Sequence, residues 1–206
     1  MDSRLLEEKQ MLLDKKTFLI KEQIDFLKLA GTYDIFDPET GRQIGVAKEE
    51  PGALIKLLRL LVYKVLLPNK INIYDHEEQR IVCSIQKPFS LVRAKISVVN
   101  RTGECLGYFQ SKILTLGGGF WVFDPENRQV AEIKGDWKGW NFKFIGTDDQ
   151  EFGSITKKWA GIGKELFTTA DNYVIAIKDT KELDLDRTAL LLAAGLAIDI
   201  VFKERR

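Results

Sequence analysis

The stretch that most restricts how this 206-residue chain can fold is near its end. Residues 188–202 read T-A-L-L-L-A-A-G-L-A-I-D-I-V-F, apolar on every side of a helix. A surface helix carries one apolar stripe, whereas a helix apolar all round has to be enclosed. The unbroken apolar run 189–198 is ten residues, well short of the roughly 20 that a bilayer core requires. Arg187 stands before it, and Asp199, Lys203, Glu204, Arg205 and Arg206 lie at or beyond its end. The expectation is a helix wrapped by the protein's own sheet rather than a membrane span.

The rest of the chain supplies such a sheet. Residues 33–36 lead into Asp37-Pro38-Glu39-Thr40-Gly41 and leave through 43–46; residues 120–123 lead into Asp124-Pro125-Glu126-Asn127 and leave through 130–133. Looser copies join 71–74 to 81–85, 94–99 to 105–109 and 140–145 to 151–155. Asp or Asn at such a hinge accepts from backbone two residues on, and Pro presets φ for the next position. Five hairpins make about ten strands, residues 173–177 another, and Phe18-Leu19-Ile20 also looks extended. Short strands joined by tight turns indicate an antiparallel sandwich or barrel. A closed sheet wide enough to hold more than side chains must be filled, and the apolar helix is a suitable plug. Gly195 would let a strand approach it closely, and Asp199 needs a donor if buried or a place at the barrel mouth.

Two further helical segments are expected. Ser3 can cap a short first helix, giving an N-terminal extension over 1–16 ahead of a barrel domain over 17–206. Residues 52–67 read G-A-L-I-K-L-L-R-L-L-V-Y-K-V-L-L before Pro68 stops them, and at about 100° per residue Lys56, Arg59 and Lys64 share one polar sector.

Thirty-one basic against thirty acidic residues leave a net charge of +1, which provides no overall field for nucleic acid, so no nucleic-acid partner is expected. Cys83 and Cys105 fall in apolar strand-like surroundings, read as ordinary buried thiols. Residues 1–16 mix charges with leucine and contain no signal-length apolar run, which points to a cytoplasmic location.

The C-terminal third carries a known pattern. Ile155-Thr156-Lys157-Lys158-Trp159-Ala160-Gly161, Lys164-Glu165-Leu166-Phe167-Thr168 and Ala170-Asp171-Asn172-Tyr173 resemble the phospholipid scramblases and their LURP-one-related cousins. Residues 183–202 are similar to the scramblase C-terminal helix, and the likeness covers about 17–206. The resemblance implies the Tubby C-terminal-like fold: a mainly β protein, a closed antiparallel barrel of about twelve strands around a buried hydrophobic C-terminal helix. It also implies lipid-related or membrane-associated biology. Animal scramblases carry a proposed calcium segment, D-A-D-N-F-G-I-Q-F-P-x-D-x-D. Asp171 and Asn172 match it, Thr169 replaces its first acid, its proline is missing, and Glu182 and Asp184 reach the later acids only across a two-residue insertion. Calcium takes six to eight oxygens, so this metal site is expected to be weak or missing, and no other cofactor is expected. A turn at Asp171-Asn172, with Asp184 or Asp186 capping the last helix, is the competing reading. The proline-rich and cysteine-rich N-terminal regions of animal scramblases have no counterpart here, so palmitoyl anchoring is not expected.

Candidate lipid-binding residues fall in two groups. Lys157, Lys158 and Lys164 place positive charge beside Trp159 and the glycines Gly161 and Gly163, suited to lipid phosphates; otherwise Trp159 is a barrel-end core residue among solvated lysines. Lys56, Arg59 and Lys64 suit an interfacial helix; otherwise that helix caps an open barrel end with its leucines. Trp137 and Trp140 form another interfacial candidate, although Trp140 also fits the start of a strand with Phe142 and Phe144. His76 is the single histidine and lies in a turn, and Gly117-Gly118-Gly119 lacks the Lys-Ser or Lys-Thr of a P-loop. Asp37, Asp75 and Asp124 recur at equivalent hinges, as turn residues do and catalytic acids do not. No enzyme is expected. The function read from the chain is a non-catalytic scramblase-like or LURP-one-like module, cytoplasmic and peripheral at the membrane, meeting anionic phospholipid. The alternatives are a soluble scaffold with a protein partner and a membrane-inserted scramblase. Oligomeric state stays open.

Overall fold

A computed structural model describes residues 12–23, 30–58, 67–77, 79–89, 95–112, 119–136, 140–157, 172–178 and 185–203. Twelve strands follow in chain order: β1 Thr17–Glu22, β2 Thr32–Phe36, β3 Gln43–Glu49, β4 Asn69–Asp75, β5 Ile81–Lys87, β6 Lys95–Asn100, β7 Cys105–Ser111, β8 Gly119–Phe123, β9 Gln129–Asp136, β10 Asn141–Gly146, β11 Glu151–Thr156 and β12 Tyr173–Ile177. Each pairs antiparallel with its neighbours in sequence, and β1 pairs with β12 to close the barrel. The extended look of Phe18-Leu19-Ile20 therefore marks the strand that seals the sheet.

One local device builds all five tight hairpins. Among the described residues each turn holds one with positive φ: Gly41 (69°), Gln79 (52°), Gly103 (90°), Asn127 (66°) and Asp149 (60°). Beside each, the register slips by one residue, at Ile35/Phe36, Ile73/Tyr74, Val98/Val99, Val122/Phe123 and Phe144/Ile145. A turn ending in a left-handed residue forms a bulge of this kind and adds twist, which helps a sheet curl until its edges meet.

The C-terminal helix, Leu185–Lys203 (α2), fills the barrel. Every residue from 189 to 198 whose side chain exceeds glycine is 5% exposed or less. They pack in one cluster with inward-facing side chains such as Ile35, Ile73, Phe109, Ile133 and Phe144. Burying a large aliphatic side chain contributes about 1.5–3 kcal/mol, so Leu190, Leu191, Leu192, Leu196 and Ile198 together supply on the order of 10 kcal/mol before entropy is charged. Small residues set the fit. A Cβ on Gly195 would lie 2.2 Å from Ile175 Cδ1, so the expected close approach of a strand occurs there. Across the barrel Gly107, at φ 147°, admits Leu190: a Cβ would stand 2.5 Å from Phe123 O and 3.1 Å from Leu190 Cδ2.

The other helical expectations are met in part. Residues 1–11 lie outside the described residues, and Leu12–Asp14 is a single 3-10 turn. Of the expected 52–67 helix, Ala53–Leu58 (α1) is helical, and 59–66 lie outside the described residues. No helix among the described residues is long and apolar enough to cross a membrane.

Candidate functional site

Neighbour-to-neighbour antiparallel order sorts every connection by parity. The hairpin turns after β2, β4, β6, β8 and β10 lie at one end of the barrel, called here the turn end. The links after β1, β3, β5, β7, β9 and β11 leave and return at the other, the connection end. The two ends are built differently.

At the turn end three aspartates each give one oxygen to a backbone N–H of their own turn, two residues on for Asp37 and Asp75 and four on for Asp124. Asp37 Oδ1 accepts from Glu39 N and Asp75 Oδ1 from Glu77 N, both at 2.9 Å, and Asp124 Oδ1 accepts from Arg128 N at 2.8 Å. This is the turn role expected of them. Their second oxygens diverge. Asp124 Oδ2 takes Arg128 Nε of its own turn at 2.7 Å, whereas Asp37 Oδ2 pairs with Lys15 Nζ at 2.8 Å and Asp75 Oδ2 accepts the buried backbone N–H of Leu12 at 2.7 Å. The Leu12 side chain is 1% exposed and packs against the position of Gly45. Lys16 follows, its carbonyl accepting from Ile177 N at 2.8 Å and its ammonium reaching Thr188 Oγ1 of α2 at 3.4 Å. Residues 12–16 thus close the end at which α2 enters. Burial pushes the Asp37 carboxyl up, but the Lys15 ammonium, the Glu39 N–H and Thr40 outweigh it and hold the group below the usual carboxylate range. Nothing in the sequence marks this closure, because Leu12 and Asp75 stand 63 residues apart.

At the connection end, Trp140 sits just before β10 with φ 49°, 5% exposed, its ring edge-on to Phe142 at 6.1 Å and 5.9 Å from Tyr173. It opens the strand with Phe142 and Phe144, as one of its two readings expects, and this burial corrects the interfacial one. Lys157 Nζ stands 4.9 Å from the centre of that ring. Inside the rim, Glu49 accepts from Gly31 N at 2.9 Å and Asn69 Nδ2 at 2.7 Å. Outside it, Glu50 accepts from Tyr74 Oη and Asn72 Nδ2, both at 2.6 Å, and these bonds hold its carboxyl below the ordinary range.

Of the seven lipid candidates, Lys157 alone has a described side chain. Lys56 lies in α1 with its side chain outside the described set, and Arg59, Lys64, Lys158, Trp159 and Lys164 lie outside the described residues, as does Trp137. Connectivity nevertheless groups the seven. Lys56, Arg59 and Lys64 belong to the β3–β4 link, and the other four to the β11–β12 link, both attached at the connection end.

The calcium candidates are attached differently. Asp171 and Asn172 precede β12 at the connection end, while Glu182 and Asp184 follow it, and Leu185 begins α2 at the turn end. Only Asn172, buried, is described. Among the described residues, no three His, Cys, Asp or Glu side chains gather closely enough to hold a metal. In α2, Asp186 lies in the first turn, as the dipole argument expects. The cysteines part company: Cys83 is buried and its thiol pushed up to about 12 by that burial, while Cys105 is exposed, a correction to the expectation of two buried thiols.

With this geometry in place, comparison with known proteins is informative. A solved structure from Arabidopsis thaliana shares the fold at a TM-score of 0.51, with 15% identity and 92% of each chain covered. "Altered inheritance rate of mitochondria protein 25" of Saccharomyces cerevisiae is 22% identical over 94% of this chain and 72% of its own length. Human "Phospholipid scramblase 2" is 37% identical, but over 32% of this chain and 22% of its own length, so much of the human protein has no counterpart in the match. A phospholipid scramblase family protein of Schizosaccharomyces pombe is 20% identical over 94% of this chain and 55% of its own length. The family model described as Scramblase matches residues 4–205, nearly the whole chain, which therefore belongs to the scramblase family.

Proposed function

We propose that this chain is a non-catalytic lipid-associating module that docks peripherally on phospholipid membrane surfaces from the cytoplasm. The observation that carries the reading is the pairing of scramblase-family membership with a barrel whose candidate basic links, 50–68 and 157–172, both attach at one end. A basic side chain near an anionic membrane surface contributes about 1 kcal/mol, so several gathered at one end suffice for reversible docking without an inserted segment. Aromatic and leucine side chains on the same links add apolar contact at the headgroup level. LURP-one-like and Tubby-like character belongs to the same reading, supported by the barrel with its enclosed helix.

A membrane-inserted scramblase would have to withdraw α2 from the barrel. That exposes the inward faces of twelve strands, and the apolar run released, residues 189–198, falls short of the roughly 20 residues a span needs. Docking is therefore the reading adopted. Its test is co-sedimentation of the whole protein with phosphatidylserine-containing vesicles at low salt, alongside Lys56→Glu/Arg59→Glu/Lys64→Glu. Binding that weakens in the variant and with added salt supports it. A wild-type protein left in the supernatant, or captured equally by neutral vesicles, refutes it.

A further inference from the structure

The net charge of +1 conceals a strong asymmetry along the barrel. The six links attached at the connection end, residues 23–31, 50–68, 88–94, 112–118, 137–140 and 157–172, contain ten basic and four acidic residues, of which Lys112 and Lys157 are the basic ones with described side chains. The five turns at the opposite end, residues 37–42, 76–80, 101–104, 124–128 and 147–150, hold four basic and nine acidic. We infer that the protein stands on an anionic bilayer with its barrel axis across the surface plane, connection end down and turn end facing water. This inference rests on the membrane-docking reading and adds to it the face that docks.

Described side chains at the strand ends add to this in part. At the turn end, positive charge is taken up locally: Arg128 pairs with Asp124 at 2.7 Å and Glu126 at 3.2 Å, Arg42 pairs with Glu77, and Lys15 pairs with Asp37. At the connection end, Lys112 and Lys134 also pair with Glu132, and Lys48 and Lys70 lie near the Glu50 carboxylate. Lys48 and Lys95, however, stand over the rings of Tyr74 and Tyr108, with ammonium-to-centroid distances of 5.7 and 3.8 Å. A ring steadies a lysine without cancelling its charge, which stays available to a phosphate. Lys70 is exposed one residue from the same rim, and Phe89, 57% exposed, follows β5 there as an apolar contact. Strands of five to eight residues span about 16–26 Å, roughly two to three Debye lengths at physiological salt, so a surface touching one end scarcely feels the other. A uniform charge would leave the orientation free and a lateral patch would lay the barrel on its side; a charge divided end from end stands it upright.

The thiols permit a direct test. Cys105 is exposed at the turn end, and Cys83 is buried with its thiol pushed up to about 12, so a thiol-reactive fluorophore goes to Cys105. A second protein, Phe89→Cys with Cys105→Ser, carries the label at the connection end. On phosphatidylserine/phosphatidylcholine vesicles containing a nitroxide lipid, the label at position 89 should be quenched and the label at Cys105 should not. In parallel, Lys48→Gln/Lys70→Gln/Lys95→Gln and Arg42→Gln/Arg101→Gln/Arg128→Gln remove the same total charge from opposite ends, with near-ultraviolet circular dichroism reporting that both remain folded. The first set should weaken vesicle binding about tenfold or more, the second less than about twofold. Stronger quenching at Cys105, or equal losses in the two sets, overturns the orientation while membrane docking stands. Absence of wild-type binding overturns both.

Discussion

The turn end and the connection end of this barrel close the same twelve strands by opposite means. The turn end is sealed by specific geometry: bulged hairpins, three aspartates in equivalent turns, and residues 12–16 hydrogen-bonded across the mouth where α2 enters. The connection end carries longer links, an excess of basic residues, and lysines resting on aromatic rings rather than on carboxylates alone. Both ends use charged groups to hold the fold, Lys112, Lys134 and Glu132 among them at the connection end, but only the connection end carries the basic surplus proposed to meet a membrane. Substitutions at the turn end should therefore cost stability, and those on the outer rim of the connection end should cost binding.

The sharpest challenge to that division is Leu12→Asp. It puts a carboxylate where a side chain is 1% exposed, and a loss of about 4 kcal/mol or more is expected in urea unfolding. An unchanged midpoint would mean that residues 12–16 do not seal the barrel. Next comes Asp75→Ala, which orphans the buried N–H of Leu12 at an expected cost of about 1–3 kcal/mol. Asp124→Ala removes exposed bonds within its own turn, to Arg128 N and Nε, and should shift the midpoint far less. Equal effects would show that the turns alone, and not the segment they hold, carry the stability.

A subtler distinction lies in acid. Asp37 has its carboxyl held low in the folded protein, so its contribution is present above the ordinary carboxylate range, near pH 4, and is lost as the pH falls through the lowered folded value. Asp37→Asn should flatten the stability curve below about pH 4 and leave its slope near pH 7 unchanged. The smallest expected effect is on the other side of the comparison: Lys48→Gln/Lys70→Gln/Lys95→Gln should keep the wild-type urea midpoint within about 0.5 kcal/mol while losing vesicle affinity. A large loss of stability there would remove the contrast between the ends.

Much of the barrel was readable before any coordinates. Asp-Pro at 37–38 and 124–125, and Asn100 through Gly103, announce turns by their own backbone chemistry, and the residues around them alternate as half-buried strands do. Every hairpin inferred from those hinges is present. The lipid candidates were legible only as clusters of lysine with aromatic or leucine neighbours. Their common attachment depends on how many strands lie between residues 56 and 157, and local composition is silent about that parity. Trp140 illustrates the same limit. Its neighbours suited an interface as well as a strand, and burial against Phe142 and Tyr173 decided between them.

The amino-acid sequence by itself determined that an all-round apolar helix had to be enclosed and that short hairpins would enclose it, since both follow from local periodicity and turn preference. Tertiary structure alone decided which aspartates hold residues 12–16 and how a nearly neutral chain divides its charge between two ends. Those outcomes depend on strand order and closure, which bring together groups tens of residues apart and which no window of sequence contains.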